Sequence, residues 1–160
     1  MGAEHPKTNA MRMLDAAGIA YESIEYEVDE SDLSGESVAR KVGVDSDRVF
    51  KTLVLRSDAG DHLVACVPVS TELDLKSLAS ASCRKSVAMI PVKDLLSLTG
   101  YVRGGCSPVG MKKSFPTYFD ETVLLHDRIA VSAGIRGLQL LIAPEDLLRF
   151  VGGVSCDIAR

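Results

Sequence analysis

Several features are missing from this sequence, and each absence removes a class of protein. No run of 18 or more apolar residues occurs, so no membrane-spanning helix is expected. The stretch from Met1 to Leu14 is polar and carries Glu4, His5, Lys7 and Arg12. It lacks the apolar core of a secretory signal, and a cytoplasmic protein is the expectation. The four cysteines, Cys66, Cys83, Cys106 and Cys156, are widely spaced with no Cys-x-x-Cys pair. That argues against a zinc site and against a redox dithiol, and predicts free thiols in a reducing compartment. There is no excess of basic residues either, since the formal net charge is −4. Phosphate neutralisation supplies most of the affinity of nucleic-acid binders. A large, tight, sequence-reading interface is therefore disfavoured, while a local basic rim is compatible with the total. Internal repeats, low-complexity tracts and long linkers are absent as well, so 160 residues predict one domain, 1–160, around a single core.

What is present reads as short helices among short strands. Thr8 is placed to cap a helix over Thr8 to Ala17, with Ala10, Met11, Leu14 and Ala17 as its apolar stripe and Gly18 as its stop. Alternation over Tyr21 to Val28 predicts a strand. A second helix is expected over Gly35 to Val42, between Ser34 and Gly43. Val49 to Arg56 and His62 to Val69 flank Ser57-Asp58-Ala59-Gly60-Asp61 and predict a hairpin. A helix over Leu73 to Ala81 is expected to turn Leu75 and Leu78 inward, and Cys66 is expected in the core. A short strand at Val87 to Ile90 precedes a helix opened by Pro91 and closed by Gly100. Further strands are predicted at Thr117 to Phe119, Val123 to Leu125, Ile129 to Ala133 and Leu138 to Ala143. A last helix starts at Pro144. The result is a mixed α/β domain.

Tyr101 to Lys113 stands apart, because Gly104-Gly105-Cys106-Ser107-Pro108-Val109-Gly110 is a loop with unusual backbone angles. Such a loop brings N–H groups close to an oxyanion or phosphate, or it is a plain glycine turn. It lacks the Gly-Lys-Ser/Thr ending of a P-loop and the spacing of a dinucleotide fingerprint. Lys51, inside Val49-Phe50-Lys51-Thr52-Leu53, is either a solvent-facing strand residue or a cation held on a rigid element beside a cleft. Val131-Ser132-Ala133-Gly134-Ile135-Arg136-Gly137 reads as a hairpin turn, with Ser132 and Arg136 available to the rim of a pocket shared with the Gly104 loop. His5, His62 and His126 read as solvated. Asp45 with Asp47, and Glu145 with Asp146, read as charges at helix N-termini. Lys112-Lys113 and Arg84-Lys85 are small basic pairs for phosphate or solvent. Cys106 as a nucleophile would need a partner base, and none is apparent.

These pieces together resemble one family. Val49-Phe50-Lys51-Thr52-Leu53 resembles its Val-Phe-Lys-Thr-Leu strand. Gly100-Tyr101-Val102-Arg103-Gly104-Gly105-Cys106-Ser107-Pro108-Val109-Gly110 resembles its Gly-Tyr-x-x-Gly-Gly-x-Ser-Pro-x-Gly loop. Ser132-Ala133-Gly134-Ile135-Arg136-Gly137-Leu138 is similar to its Ser-Gly-Gly-x-Arg-Gly-Leu turn, and Ala143-Pro144-Glu145-Asp146-Leu147 to its Ala-Pro-x-Asp-Leu segment. The family is the YbaK/EbsC group, related to the editing insertion of bacterial prolyl-tRNA synthetase.

The resemblance implies a central mixed, barrel-like sheet with flanking helices. It implies hydrolysis of the ester between a wrong amino acid and the tRNA 3′ end. Cys-tRNA(Pro) is the expected substrate, with Cys-tRNA(Cys) beside it. Ala-tRNA(Pro), or another small aminoacyl-tRNA, is the alternative. No metal or organic cofactor is implied, and prolyl-tRNA synthetase is the implied partner. Lys51 looks like the family's essential lysine. Gly104, Gly105, Cys106 and Ser107 are the expected oxyanion-binding stretch. Tyr26, Phe50, Thr52, Pro108, Gly110, Ser132, Gly134 and Arg136 are the expected substrate contacts. In the family the substrate's own cysteine thiol attacks the ester carbonyl, so the enzyme need only orient it and stabilise charge. A non-catalytic tRNA- or synthetase-binding module, and an unrelated hydrolase using Cys106, are the readings from other classes.

Overall fold

The computed structural model describes residues 6–160, so His5 lies outside the described residues. In chain order the helices are α1 (Asn9–Ala16), α2 (Gly35–Val42), α3 (Leu75–Ala81), α4 (Leu95–Thr99) and α5 (Pro144–Val151). The strands are β1 (Tyr21–Glu25), β2 (Phe50–Ser57), β3 (His62–Pro68), β4 (Val87–Met89), β5 (Thr117–Asp120), β6 (Ile129–Ser132), β7 (Leu138–Ile142) and β8 (Val154–Cys156). Local sequence explains most of the boundaries. The Thr8 hydroxyl accepts from the Met11 N–H at 3.2 Å, and the Ser34 hydroxyl from the Ser37 N–H at 3.2 Å, so both helices start at a side-chain cap. The Asp74 carboxylate accepts from the Lys76 and Ser77 N–H groups and opens α3.

One sheet has the order β1-β7-β6 and is antiparallel; the other has the order β4-β2-β3-β5-β8 and is mixed. They join where Val49 bridges Ala130 in parallel, just before β2 begins. The Arg48 carbonyl accepts from Ala130 N at 2.9 Å and the Val49 carbonyl from Val69 N at 2.8 Å, so the chain here bonds to both sheets. Because side chains alternate along a strand, β2 and β3 divide their residues between two faces. Phe50, Val54, Val64 and Cys66 point into the inner core with Phe119, Val131, Leu140 and Ile142, covered by Leu14 of α1 and Leu147 of α5. Leu55, Leu63, Ala65 and Val67 point outward under Leu78 of α3. A third cluster, Val49, Val69, Ala130 and Leu141, lies under Ala39 of α2. This is the mixed, barrel-like sheet with flanking helices that the resemblance implied.

Several local expectations change. Val123 to Leu125 is not a strand: it lies in a 3-10 turn over Glu121–Leu125, opened by the Thr122 N–H and hydroxyl, which both donate to the Asp120 carboxylate. Strand β8 escaped the sequence reading. It is tied down by the buried Asp120, whose carboxylate accepts from Ile158 N at 3.1 Å and Ala159 N at 2.9 Å. β1 ends at Glu25 rather than Val28. Pro91 is followed by a short 3-10 turn, Val92–Asp94, before α4 begins. Leu75 is exposed at the N-terminus of α3 while Leu78 is fully buried. Asp45 and Asp47 sit in a turn, not at a helix start, whereas Glu145 and Asp146 do occupy the first turn of α5.

Gly35 opens α2 directly against Val69, and a Cβ there would lie 2.2 Å from Val69 Cγ1. Gly35→Ala therefore overpacks the joint between α2 and the sheet, at a cost of about 1–3 kcal/mol in urea unfolding. Val69→Ala in the same chain should return part of that loss. An unchanged midpoint for Gly35→Ala alone would refute the close approach.

Candidate functional site

The joint at Val49–Ala130 also aligns the polar residues. Val49 and Ala130 face the cluster under α2. Two residues further along each strand, Lys51 and Ser132 project from that same face. Ser132 pairs with Gln139 across β6–β7, and Gln139 pairs with Ile24 across β7–β1. Lys51, Ser132 and Gln139 thus form a transverse row over three adjacent strands. Lys51 is half-buried, and its Nζ donates to the Thr71 carbonyl at 2.9 Å. Ser132 is buried and its hydroxyl accepts from Gly134 N at 3.1 Å. Gln139 is buried too, and its Oε1 has no hydrogen-bond partner among the described residues. Tyr26 extends the β1 side of this face, its N–H donating to the Gly137 carbonyl at 2.9 Å.

The glycine loop packs onto the β6–β7 turn, and glycine is what allows it. A Cβ on Gly105 would lie 3.2 Å from backbone atoms of Ile135 and Arg136, and one on Gly134 would lie 3.0 Å from the Tyr101 ring. Gly104 and Gly134 also have φ of +85° and +109°, values that exclude most side chains. Arg136 fastens the contact, its Nε donating to the Arg103 carbonyl at 2.8 Å. Tyr101 is buried beneath, with its hydroxyl donating to the Val109 carbonyl, and burial pushes that phenol up to about 12. Tyr26, Val28, Leu33, Ser37, Lys41 and Gly104 line a narrow cleft of about 10 Å³, the space of roughly one water.

The structure thus brings Tyr26, Gly104, Gly105, Gly134 and Arg136 together, and sets Lys51 and Ser132 on one face. It separates others. Phe50 points into the inner core, and Thr52 on the same face bonds with the Cys66 thiol at 3.7 Å. Both lie on the opposite side of β2 from Lys51. Gly105 N–H is already spent on the Val102 carbonyl at 2.9 Å. Among the described residues the N–H groups of Gly104, Cys106 and Ser107 carry no such bond; Gly104 and Cys106 are half-buried and Ser107 is fully buried. The Ser107 hydroxyl accepts from Val109 N at 3.2 Å and shapes the loop around buried Pro108 and half-buried Gly110. Desolvation pushes the Cys106 thiol up to about 12, and it does the same to Cys66.

Gln139 is the residue that sequence reasoning missed. Its signal was a lone polar side chain in the apolar run Leu138-Gln139-Leu140-Leu141-Ile142. A cavity of about 690 Å³ lies elsewhere, between β4 and α4, and holds neither Lys51 nor the glycine loop. His62 belongs there and packs edge-on against Phe115 at 5.8 Å. Arg84 is paired with Asp61. Among the described residues no helix is long and apolar enough to cross a membrane.

Comparison with known proteins gives this geometry its context. A family model described as "Aminoacyl-tRNA editing domain" matches residues 31–150. EbsC of Enterococcus faecalis, provisionally named a Cys-tRNA(Pro)/Cys-tRNA(Cys) deacylase, is 48% identical over 152 residues, covering 95% of this chain and 93% of EbsC. The uncharacterised YwhH of Bacillus subtilis is 25% identical over 125 residues, 78% of each chain. Among solved structures, hypothetical protein APE2540 superposes with a TM-score of 0.84 at 21% identity, covering 93% of this chain and 97% of its own. A protein described provisionally as a trans-editing enzyme for prolyl tRNA synthetase superposes with a TM-score of 0.82 at 22% identity, covering 96% and 98%. Both likenesses speak for the fold.

The thiols give a direct chemical test. Cys83 is exposed, whereas Cys106 sits in the loop as a neutral thiol. Iodoacetamide at pH 8 should label Cys83 first, leaving Cys66 and Cys106 unmodified by peptide mapping. Labelling of Cys106 should grow only as pH rises toward 12, where the thiolate forms. Rapid modification of Cys106 at pH 8 would show an activated nucleophile instead.

Proposed function

The chain belongs to the aminoacyl-tRNA editing-domain family and is an aminoacyl-tRNA deacylase; within that class we propose that it removes cysteine from mischarged tRNA(Pro), acting as one editing domain over residues 1–160. The observation that carries the proposal is the packing of the glycine loop on the Ser132–Gly137 turn, whose Ser132 shares one strand face with Lys51, around a Cys106 thiol held neutral. The near full-length likeness to EbsC supports cysteine as the acyl group.

A synthetase pocket sized for proline discriminates poorly against cysteine, since one small group is worth only about 1–3 kcal/mol. A second, hydrolytic site removes the error. In our reading the substrate thiol supplies the nucleophile. Its sulfur bonds to the ester carbonyl carbon, the carbon–oxygen bond to the ribose breaks, and the thiol proton passes to the leaving ribose oxygen. The product is a cyclic thioester that water opens. The protein's tasks are then orientation and charge stabilisation. The N–H groups of Gly104 and Cys106, at the half-buried part of the loop, receive the carbonyl oxygen as it gains negative charge, and Ser107 shapes the loop behind them. Lys51 holds the terminal phosphate or the ester. Tyr26, Gly134 and Ser132 bound the acyl-adenosine, and Arg136 acts by fixing the loop. Phe50 and Thr52 act only from behind the strand.

If the protein reads chiefly the aminoacyl-adenosine end, few phosphate contacts are needed, and a net charge of −4 is no obstacle. Selection of tRNA(Pro) then falls to a partner, and prolyl-tRNA synthetase is the partner we propose. Such work takes place in the cytoplasm, with translation.

Single-turnover deacylation of Cys-tRNA(Pro), Ala-tRNA(Pro) and Pro-tRNA(Pro) tests the reading. Rapid loss of the cysteinyl ester alone is expected. Lys51→Ala should lower that rate by about 10²–10³-fold, as removal of a charge-stabilising group does, while remaining folded by circular dichroism. Loss of alanine instead would move the protein to alanine editing, and a fully active Lys51→Ala would remove the lysine from the mechanism.

A further inference from the structure

We propose that Gln139 determines specificity by reading the free ribose hydroxyl next to the ester, a role that rests on the deacylase reading above. The Oε1 atom of Gln139 is buried without a hydrogen-bond partner among the described residues. Buried polar groups are almost always satisfied, and an orphan acceptor weakens the fold unless something fills it. Gln139 is also in the same transverse row as Lys51 and Ser132, on the face that Tyr26 extends. Its neighbours do not supply the donor: Ile24 and Leu141 are apolar, and no hydrogen bond joins it to Ser132.

In the orientation the amide takes here it presents its oxygen, so the missing partner is a donor. Phosphate, carbonyl and ester oxygens only accept, so they are excluded. The aminoacyl end of a tRNA offers the α-amino group, the vicinal ribose hydroxyl, the thiol and the adenine amino group. The thiol is a weak donor and, in the reading above, is engaged at the carbonyl. The adenine amino group lies farthest from the ester. An ammonium would have to leave water for an uncharged amide, in the same row as the Lys51 cation, two strands or roughly 10 Å away. A neutral acceptor in that place suits a neutral donor. The vicinal hydroxyl is neutral and sits beside the reacting ester. Gln139 would thus hold the ribose while the glycine loop holds the carbonyl.

The experiment uses Cys-tRNA(Pro) ending in adenosine or in 2′-deoxyadenosine, both acylated on the 3′ oxygen. Rates are normalised to spontaneous hydrolysis of the same ester, for wild type, Gln139→Leu and Gln139→Met. The wild type should lose about 10–100-fold on the deoxy substrate. Either variant should lose a similar factor on the ordinary substrate and show no further loss on the deoxy one. The desamino ester, made with 3-mercaptopropionic acid, should leave the Gln139 effect in place. A wild type that hydrolyses the cysteinyl ester without regard to the hydroxyl overturns the assignment, and this arm needs no variant to fold. A variant that keeps its hydroxyl dependence overturns it as well, and a Gln139 effect that vanishes with the amino group transfers the contact to the amine. A wild type inert to every ester would instead overturn the deacylase reading itself.

Discussion

The parallel bridge between Val49 and Ala130 is the contact from which the site follows. Without it the molecule has two sheets; with it, β2 and β6 become neighbours and their alternation is put in phase. A shift of one residue would turn Lys51 and Ser132 to opposite faces. Register is protected by burial on both sides. Val49 and Ala130 lie under α2, while Phe50, Ile129 and Val131 lie in the inner core. Either slip would expose apolar groups and bury Lys51. The same packing that stabilises the joint therefore aligns the polar row.

The second constraint is the backbone contact between the glycine loop and the β6–β7 turn. Gly105 meets backbone rather than the flexible end of a side chain, so neither partner has room to yield. Rigid placement of N–H groups is what charge stabilisation requires, because donors that need no reorganisation act at full strength. Tyr101 serves the same end from beneath. Its buried hydroxyl ties Tyr101 to Val109, spanning the loop from its first residue to its last turn.

Much of this was legible in the sequence, for identifiable reasons. The β2–β3 hairpin was marked by two β-rich runs around Asp58-Ala59-Gly60, and helices α1, α2 and α5 by caps and terminal glycines. The glycine loop and the Ser132–Gly137 turn were marked by residues that serve unusual backbone angles. What escaped depends on contacts distant in sequence. Strand β8 exists because Asp120 captures N–H groups nearly forty residues away. Val123 to Leu125 has strand-like residues, yet the same Asp120 starts a 3-10 turn there. Phe50 and Thr52 adjoin Lys51 in sequence but point to the opposite face of β2, a division that a motif read as a string does not carry. Gln139 lies in a strand that is otherwise apolar, and its place beside Ser132 and Lys51 appears only when three strands are laid side by side.

A site that leaves the nucleophile to its substrate must also keep its own nucleophiles silent. Cys106 sits in the loop that would receive the acyl carbonyl, and a thiolate there would compete with the substrate thiol for the ester. The acyl group would then pass to the protein as a thioester and block the next turnover. Burial prevents this by making the thiolate costly. The Cys106 thiol is pushed up to about 12, so that at neutral pH roughly one molecule in 10⁵ carries the anion. Among the described residues no cation or imidazole offsets the desolvation; the contact that opposes it, with Thr99, is too weak to reverse it. In the proposed reaction the apolar surroundings of the loop would do two things at once: exclude water from the developing charge at the carbonyl, and keep the Cys106 sulfur out of the reaction.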